Sequence, residues 1–192
     1  MTLYFYKGKS TRNFLNLPFK SNSLQILKKI GILSDTHGYF HPKIPDVFSQ
    51  CDEIWHCGDF GSIDVIRQLQ SIKPLKGVYG NIDGQDIRSY FPEILVFNCE
   101  NIKVLLMHIG GYPGRYNHGV SSLIKDNKPD LFVCGHSHIL KVMHDEKNDL
   151  LHINPGAAGK SGIHQVITFI RLSIDGKEIK DIEVAEYPKA IS

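Results

Sequence analysis

From Lys29 onward, short apolar runs alternate with helical periods. Ile30 to Ser34 is an apolar run of β type, and Pro45 to Gln50 fits a short helix. Glu53 to His56 predicts a second strand. Ser62 caps a predicted helix through Ile72, with Ile63, Ile66, Leu69 and Gln70 spaced for one buried face. Lys76 to Tyr79 predicts a third strand, stopped by Gly80. Glu93 to Phe97 and Lys103 to Met107 predict two strands around a turn near Cys99 to Asn101. Tyr116 to Asn127 predicts a helix closed before Pro129. Five further strands are predicted at Asp130 to Cys134, Leu140 to His144, Leu150 to Ile153, Val166 to Leu172 and, after the turn Asp175-Gly176, Lys180 to Ala185. Strand–helix alternation followed by β-rich sequence predicts an α/β (α+β) domain of two packed sheets with helices outside.

Residues 1–28 lack that pattern and read as an N-terminal extension to a domain at 29–192. An over-long start or residues added in cloning is the plain reading. A basic targeting peptide or a docking arm is the functional one. Residues 1–30 hold six Lys or Arg and no Asp or Glu, and the rest holds 16 basic and 20 acidic residues. A basic nucleic-acid surface is therefore not expected on the main body. No apolar run approaches the roughly 18 residues of a membrane span, and no secretory segment is seen. Cys51, Cys57, Cys99 and Cys134 show no CxxC spacing and read as reduced thiols of an intracellular, cytoplasmic protein.

The chemistry sits where the apolar runs end. Asp35 and His37 follow Ile30-Gly31-Ile32-Leu33. Asp59 follows Ile54-Trp55-His56-Cys57. Asn81 follows Gly80, His108 follows Val104-Leu105-Leu106-Met107, and His136 and His138 follow Leu131-Phe132-Val133-Cys134. Ligands of open α/β sheets bind beyond the carboxyl ends of the strands. In extended chain, residues two apart point to one side, so Asp35 and His37 are expected to face one ion, and His136 and His138 to repeat that geometry. Asp59 is the natural bridge, since a carboxylate has two oxygens to share. Gly58 and Gly135 let the backbone turn sharply beside the ions. Each motif alone is also an ordinary turn or a structural histidine. Their recurrence at successive strand ends points to a binuclear metal site, a device for attacking phosphate esters with water.

The set Ser34-Asp35-Thr36-His37-Gly38, Gly58-Asp59, Gly80-Asn81-Ile82-Asp83, His108, Gly135-His136-Ser137-His138 and Asn154-Pro155-Gly156 resembles the calcineurin-like metallophosphoesterases, in particular the small YfcE-like phosphodiesterases. The resemblance spans residue 29 to about 186. It implies a four-layer αββα sandwich of two mixed β-sheets flanked by helices. It implies that Asp35, His37, Asp59 and His138 hold one divalent ion and Asp59, Asn81, His108 and His136 the other. Manganese leads, with nickel, zinc or iron as alternatives. Asp59, Asn81 and His108 would act through the metals, with a bridging hydroxide as nucleophile.

Two departures stand out. Many superfamily members carry His after the Asn, where it protonates the leaving group; here Ile82 cannot. His118, His56 or a metal-bound water are the substitutes. Many close relatives have Gly directly after the histidine that His108 matches; here Ile109 precedes Gly110-Gly111. Arg115, in the glycine-rich loop, is a phosphate clamp or a solvated side chain. Asn154 and Gly156 are expected near the metals as substrate contacts, with Lys160 weaker. Asp83 is either a hydrogen-bond partner for a ligand imidazole or a turn cap. His41, His144, His152 and His164 read as surface or core. The expected substrate is a small phosphodiester, with a homo-oligomer allowed. A nuclease would favour a basic groove with stacking aromatics. A eukaryotic retromer subunit resembles this fold and serves protein binding, so a non-catalytic scaffold is the alternative.

Overall fold

The computed structural model describes residues 27–189. Residues 1–26 lie outside the described residues, and with them nearly all of the predicted extension. Two five-stranded sheets form the centre. The first runs β12(Glu178–Pro188)-β11(Val166–Asp175)-β1(Lys28–Leu33)-β2(Glu53–His56)-β3(Leu75–Gly77). The second runs β4(Ile94–Cys99)-β5(Ile102–Met107)-β8(Leu131–Val133)-β10(Leu150–Pro155)-β9(Leu140–Asp145). Both are mixed. β1, β2 and β3 are parallel, as are β5, β8 and β10, with antiparallel neighbours outside each trio.

Strand alternation sorts the core into layers. Ile30, Ile32, Trp55, Val104, Leu106, Leu131, Val133 and Ile153 pack between the sheets. Leu33, Ile54 and Phe169 face outward under three helices, α1(Ile44–Val47), α2(Ile63–Ile72) and α3(Gln85–Arg88). Leu105, Phe132 and Leu150 face α4(Val120–Asn127). This is the αββα sandwich. Its helical layers are thin because two of the four helices have only four residues. Among the described residues, no helix is long and apolar enough to cross a membrane.

Glu53 to His56 is a strand with the expected bounds, and Ser62 caps α2 by accepting from the Asp64 N–H at 3.0 Å. The buried face of α2 is Val65, Ile66 and Leu69, whereas the expected Gln70 is exposed. The predicted helix from Tyr116 begins only at Val120. Its first residue, Tyr116, instead ends the hairpin of β6(Gly111–Tyr112) and β7(Arg115–Tyr116), which turns at Gly114 with φ 84°. The polar, four-residue α3 was not expected.

Candidate metal centre

The carboxyl ends of β1, β2, β5 and β8 meet at one edge of the sandwich, and backbone hydrogen bonds stitch their loops together. Asp35 N–H donates to Gly58 O at 3.0 Å, His37 N–H to Asp59 O at 3.0 Å, and Gly135 N–H to His108 O at 2.9 Å. His136 N–H donates to Asp35 Oδ2 at 3.0 Å, joining the two sheets at the site.

The backbone there is not extended. Asp35, His37, Asp59, His136 and His138 have φ of 55°, 47°, 57°, 68° and 57°. Left-handed conformations cost a non-glycine residue on the order of 1 kcal/mol or more and gather where a site demands them. The alternation expected for Asp35 with His37 and for His136 with His138 is therefore wrong in its cause: kinks, not a strand, aim these side chains. His136 and His138 also part company. Asp35, His37 and His138 form one group of candidate ligand atoms, and Asp59, His108 and His136 another, with the atoms of each group within 4.8 Å of one another.

Asp59 lies between the groups. Its Oδ2 is 3.7 Å from His37 Nε2, and its Oδ1 is 3.3 Å from His108 Nε2. Asn81 Oδ1 is 3.1 Å from His108 Nε2. Asp35 Oδ1 is buried without a hydrogen-bond partner, yet His138, His37 and His108 bring Nε2 atoms to 3.3, 3.9 and 4.0 Å of it. The carbonyl of Cys57, 2.7 Å from His108 Nδ1, can only accept, so Nδ1 carries the proton and Nε2 turns its lone pair inward in the neutral ring. Converging lone pairs around an unpartnered buried carboxylate oxygen are the donor set of a divalent cation, and these residues fit one. Burial alone would lower the pKa of His108 and raise that of Asp59. Their mutual contact outweighs it, holding His108 above and Asp59 below their ordinary values.

His164 was missed at sequence level. Its Nε2 lies 3.0 Å from Gly159 O and its Nδ1 3.3 Å from His138 Nδ1. The carbonyl fixes the proton on His164 Nε2. The His138 proton then sits on Nδ1, leaving Nε2 free to face Asp35. No local pattern marks a residue 26 positions downstream.

Other candidates change role. His56 is fully buried and stacks on Phe60 with centroids 3.7 Å apart. It receives the Gly58 N–H and bonds Thr36 Oγ1, and burial, with the charge of His108, holds its pKa well below normal. It braces the Asp35–His37 loop and is no leaving-group acid. His118 is exposed ahead of α4. Asp83 accepts from the backbone N–H groups of Gly80, Gly61 and Phe60, so it caps the turn and touches no ligand imidazole. Asn154 Nδ2 donates to Gly135 O and Ser137 Oγ, and its Oδ1 accepts from Gly156 N–H. Asn154 thus braces the histidine loop rather than offering a free amide, and Gly156 is buried against Thr168. Arg115 is exposed on the hairpin beside the site, and Lys160 Nζ lies over the Tyr39 ring. Gly58, at φ 95°, turns as expected, but Gly135 is needed for space: a Cβ there would lie 2.0 Å from Ser34 Oγ.

Residues 29–177 match the calcineurin-like phosphoesterase superfamily domain. A probable metallophosphoesterase of Methanothermobacter thermautotrophicus is 28% identical over 163 residues, 81% of this chain and 90% of that protein. One of Methanocaldococcus jannaschii is 31% identical over 134 residues, 67% of each. Among solved structures, wild-type Vps29 of Entamoeba histolytica complexed with Zn²⁺ superposes with a TM-score of 0.65 at 17% identity, covering 84% of this chain and 99% of that one. At that identity the likeness is one of fold.

Proposed function

Because the chain belongs to the calcineurin-like phosphoesterase superfamily, we propose that it is a metal-dependent phosphodiesterase acting on a small phosphodiester through two divalent ions. The position of Asp59 carries this reading. Its two oxygens face different groups of ligands, Oδ2 toward His37 and Oδ1 toward His108. Asp35, His37, Asp59 and His138 would hold one ion, and Asp59, Asn81, His108 and His136 the other. When bound, such ions neutralise phosphoryl charge and lower the pKa of an attacking water.

The chain's own residues hold and orient. Cys57 O and His164 set the tautomers of His108 and His138. Asp83 pins the Gly80 turn, and with it Asn81. No protein group stands where Ile82 does to give the leaving alkoxide a proton, so substrates with good leaving groups are favoured. Manganese is our first choice of metal; nickel, iron and zinc suit the same ligands, and a zinc complex exists for the Vps29 neighbour. The buried free thiols fit a reducing compartment, and we place the protein in the cytoplasm.

A scaffold reading draws on Ile82, Ile139 and Ile163, which are 48%, 62% and 96% exposed and adjoin Asn81, His138 and His164 in sequence. The deciding experiment is hydrolysis of bis-p-nitrophenyl phosphate by metal-stripped protein resupplied with Mn²⁺, Ni²⁺ or Zn²⁺, with Asp59→Asn as control. Activity restored by metal and lost in the variant supports the phosphodiesterase. A folded protein inactive with every metal supports the scaffold.

A further inference from the structure

The outer face of the second sheet is only partly covered by α4. Beyond the helix, the β6–β7 hairpin arches over the ends of β9 and β10 and leaves a cleft of about 190 Å³. The cleft is continuous with the metal centre, since His136 lines both.

Three features of its lining have no role in holding metal. Arg115, on the hairpin, and Lys141, on β9, form no ion pair with a carboxylate among the described residues. Arg115 is the backbone partner of Tyr112 across the hairpin, and Lys141 Nζ sits 3.6 Å from the Tyr112 ring centroid. The floor is His152 on β10, fully buried, with neither ring nitrogen hydrogen-bonded. An unmet buried polar group costs on the order of 1–3 kcal/mol, and Phe132 and Tyr116 beside it offer only ring faces and edges. Burial, helped by the nearby Lys141 charge, pushes the His152 pKa down to about 4, so the ring is neutral and keeps one donor and one acceptor.

We propose that this cleft is a second, anion-binding subsite: it takes a phosphate or carboxylate borne on the part of the substrate remote from the scissile phosphorus, between Arg115 and Lys141 and above His152. The inference rests on the phosphodiesterase reading and narrows its substrates to phosphodiesters with a second negative group. Two unpaired cations over a neutral hydrogen-bonding floor select such a tail by charge-assisted hydrogen bonds, and the uncharged aryl of a model diester leaves them idle.

The test is calorimetry on the full chain loaded with Mn²⁺. The probes are ω-carboxyalkyl and ω-phosphonoalkyl phosphonates with two to six methylenes, against plain alkylphosphonates of equal length. At one or more lengths the tail tightens binding by about tenfold or more, and Arg115→Gln with Lys141→Gln removes that gain while plain alkylphosphonates bind within about twofold of wild type. The tail that gains more distinguishes carboxylate from phosphate. His152→Leu loses part of the gain with no fall in melting temperature. A fall with the gain intact removes His152 from the subsite. No gain at any length, or a gain that survives the double substitution, overturns the proposal. Plain alkylphosphonates report on the metal centre itself. If they fail to bind, the phosphodiesterase reading falls and takes the subsite with it. If they bind and no tail adds affinity, only the subsite falls.

Discussion

His138 and His164 meet through their Nδ1 atoms at 3.3 Å, and Gly159 O, 3.0 Å from His164 Nε2, sets the direction of the whole chain of protons. The imidazole that faces Asp35 is therefore aimed by one that does not. Replacing His164 with Ala frees the His138 ring and both its tautomers. Losing such an orienting partner typically costs about 10- to 100-fold in metal affinity. Competition with a chromophoric chelator will show one class of site weakened by that factor and the other held by His108 unchanged. Two unchanged affinities would make His164 a packing residue.

Gly80 is a question of space. Its φ is ordinary, but a Cβ would fall 2.0 Å from Asp59 Oδ1 and 2.3 Å from Asp59 N. Gly80→Ala must push the Asp59 carboxylate aside. Overpacking of this kind costs about 1–3 kcal/mol, and here the displaced group is the one proposed to bridge both ions. Loss of activity on bis-p-nitrophenyl phosphate, with metal content falling below two ions per chain by elemental analysis, is the expected result.

What the sequence made legible divides by range. Glu53 to His56 and the Ser62-capped helix could be read because their signals are local: a buried β run, and a hydroxyl accepting the N–H two residues on. The candidate ligand types and their order could be read because most of them directly follow an apolar strand. Their partition followed from the family resemblance but not from the spacing. His136 and His138 sit two residues apart yet join different groups, because left-handed kinks at φ 68° and 57° replace strand alternation. The hairpin at Gly111–Tyr116 was hidden because its strands have only two residues each, and the helical period read from Tyr116 overran Gly119, whose φ of 82° delays the helix to Val120. Asn154 was expected as a substrate contact from its motif; that its amide also braces the histidine loop shows only in the Gly135 and Ser137 acceptors.

Ile82 gives a gain-of-function test. Its backbone N–H donates to Asp59 Oδ1 at 3.1 Å, and its side chain is half exposed at the edge of the site. Ile82→His places an imidazole where a leaving alkoxide needs a proton. General-acid help is worth roughly 100-fold or more on a poor leaving group and little on nitrophenolate, which leaves unaided. Hydrolysis of a methyl p-nitrophenyl diester will change little, while that of a dialkyl diester rises by roughly that factor. An equal effect on both would mean the new ring acts on binding instead.

His152 predicts how stability follows pH. Its pKa is about 4 in the folded protein and 6.5 in the unfolded chain, so between those values the unfolded state binds the extra proton. Stability from this group is complete above pH 6.5 and is lost as pH falls toward 4. Linkage over that interval bounds the loss at about 3 kcal/mol. His56, buried and held neutral in the same sense, adds to the acid sensitivity of wild type and of any His152 variant alike. The comparison that isolates His152 is urea denaturation of wild type and His152→Leu at pH 7 and pH 4.5. The variant, lacking the titrating ring and its two unpartnered nitrogens, will match or exceed wild type at pH 7 and lead by more at pH 4.5. A lead that does not widen on acidification would mean that His152 finds a proton acceptor in the folded state, and that its ring is not the neutral floor its surroundings imply.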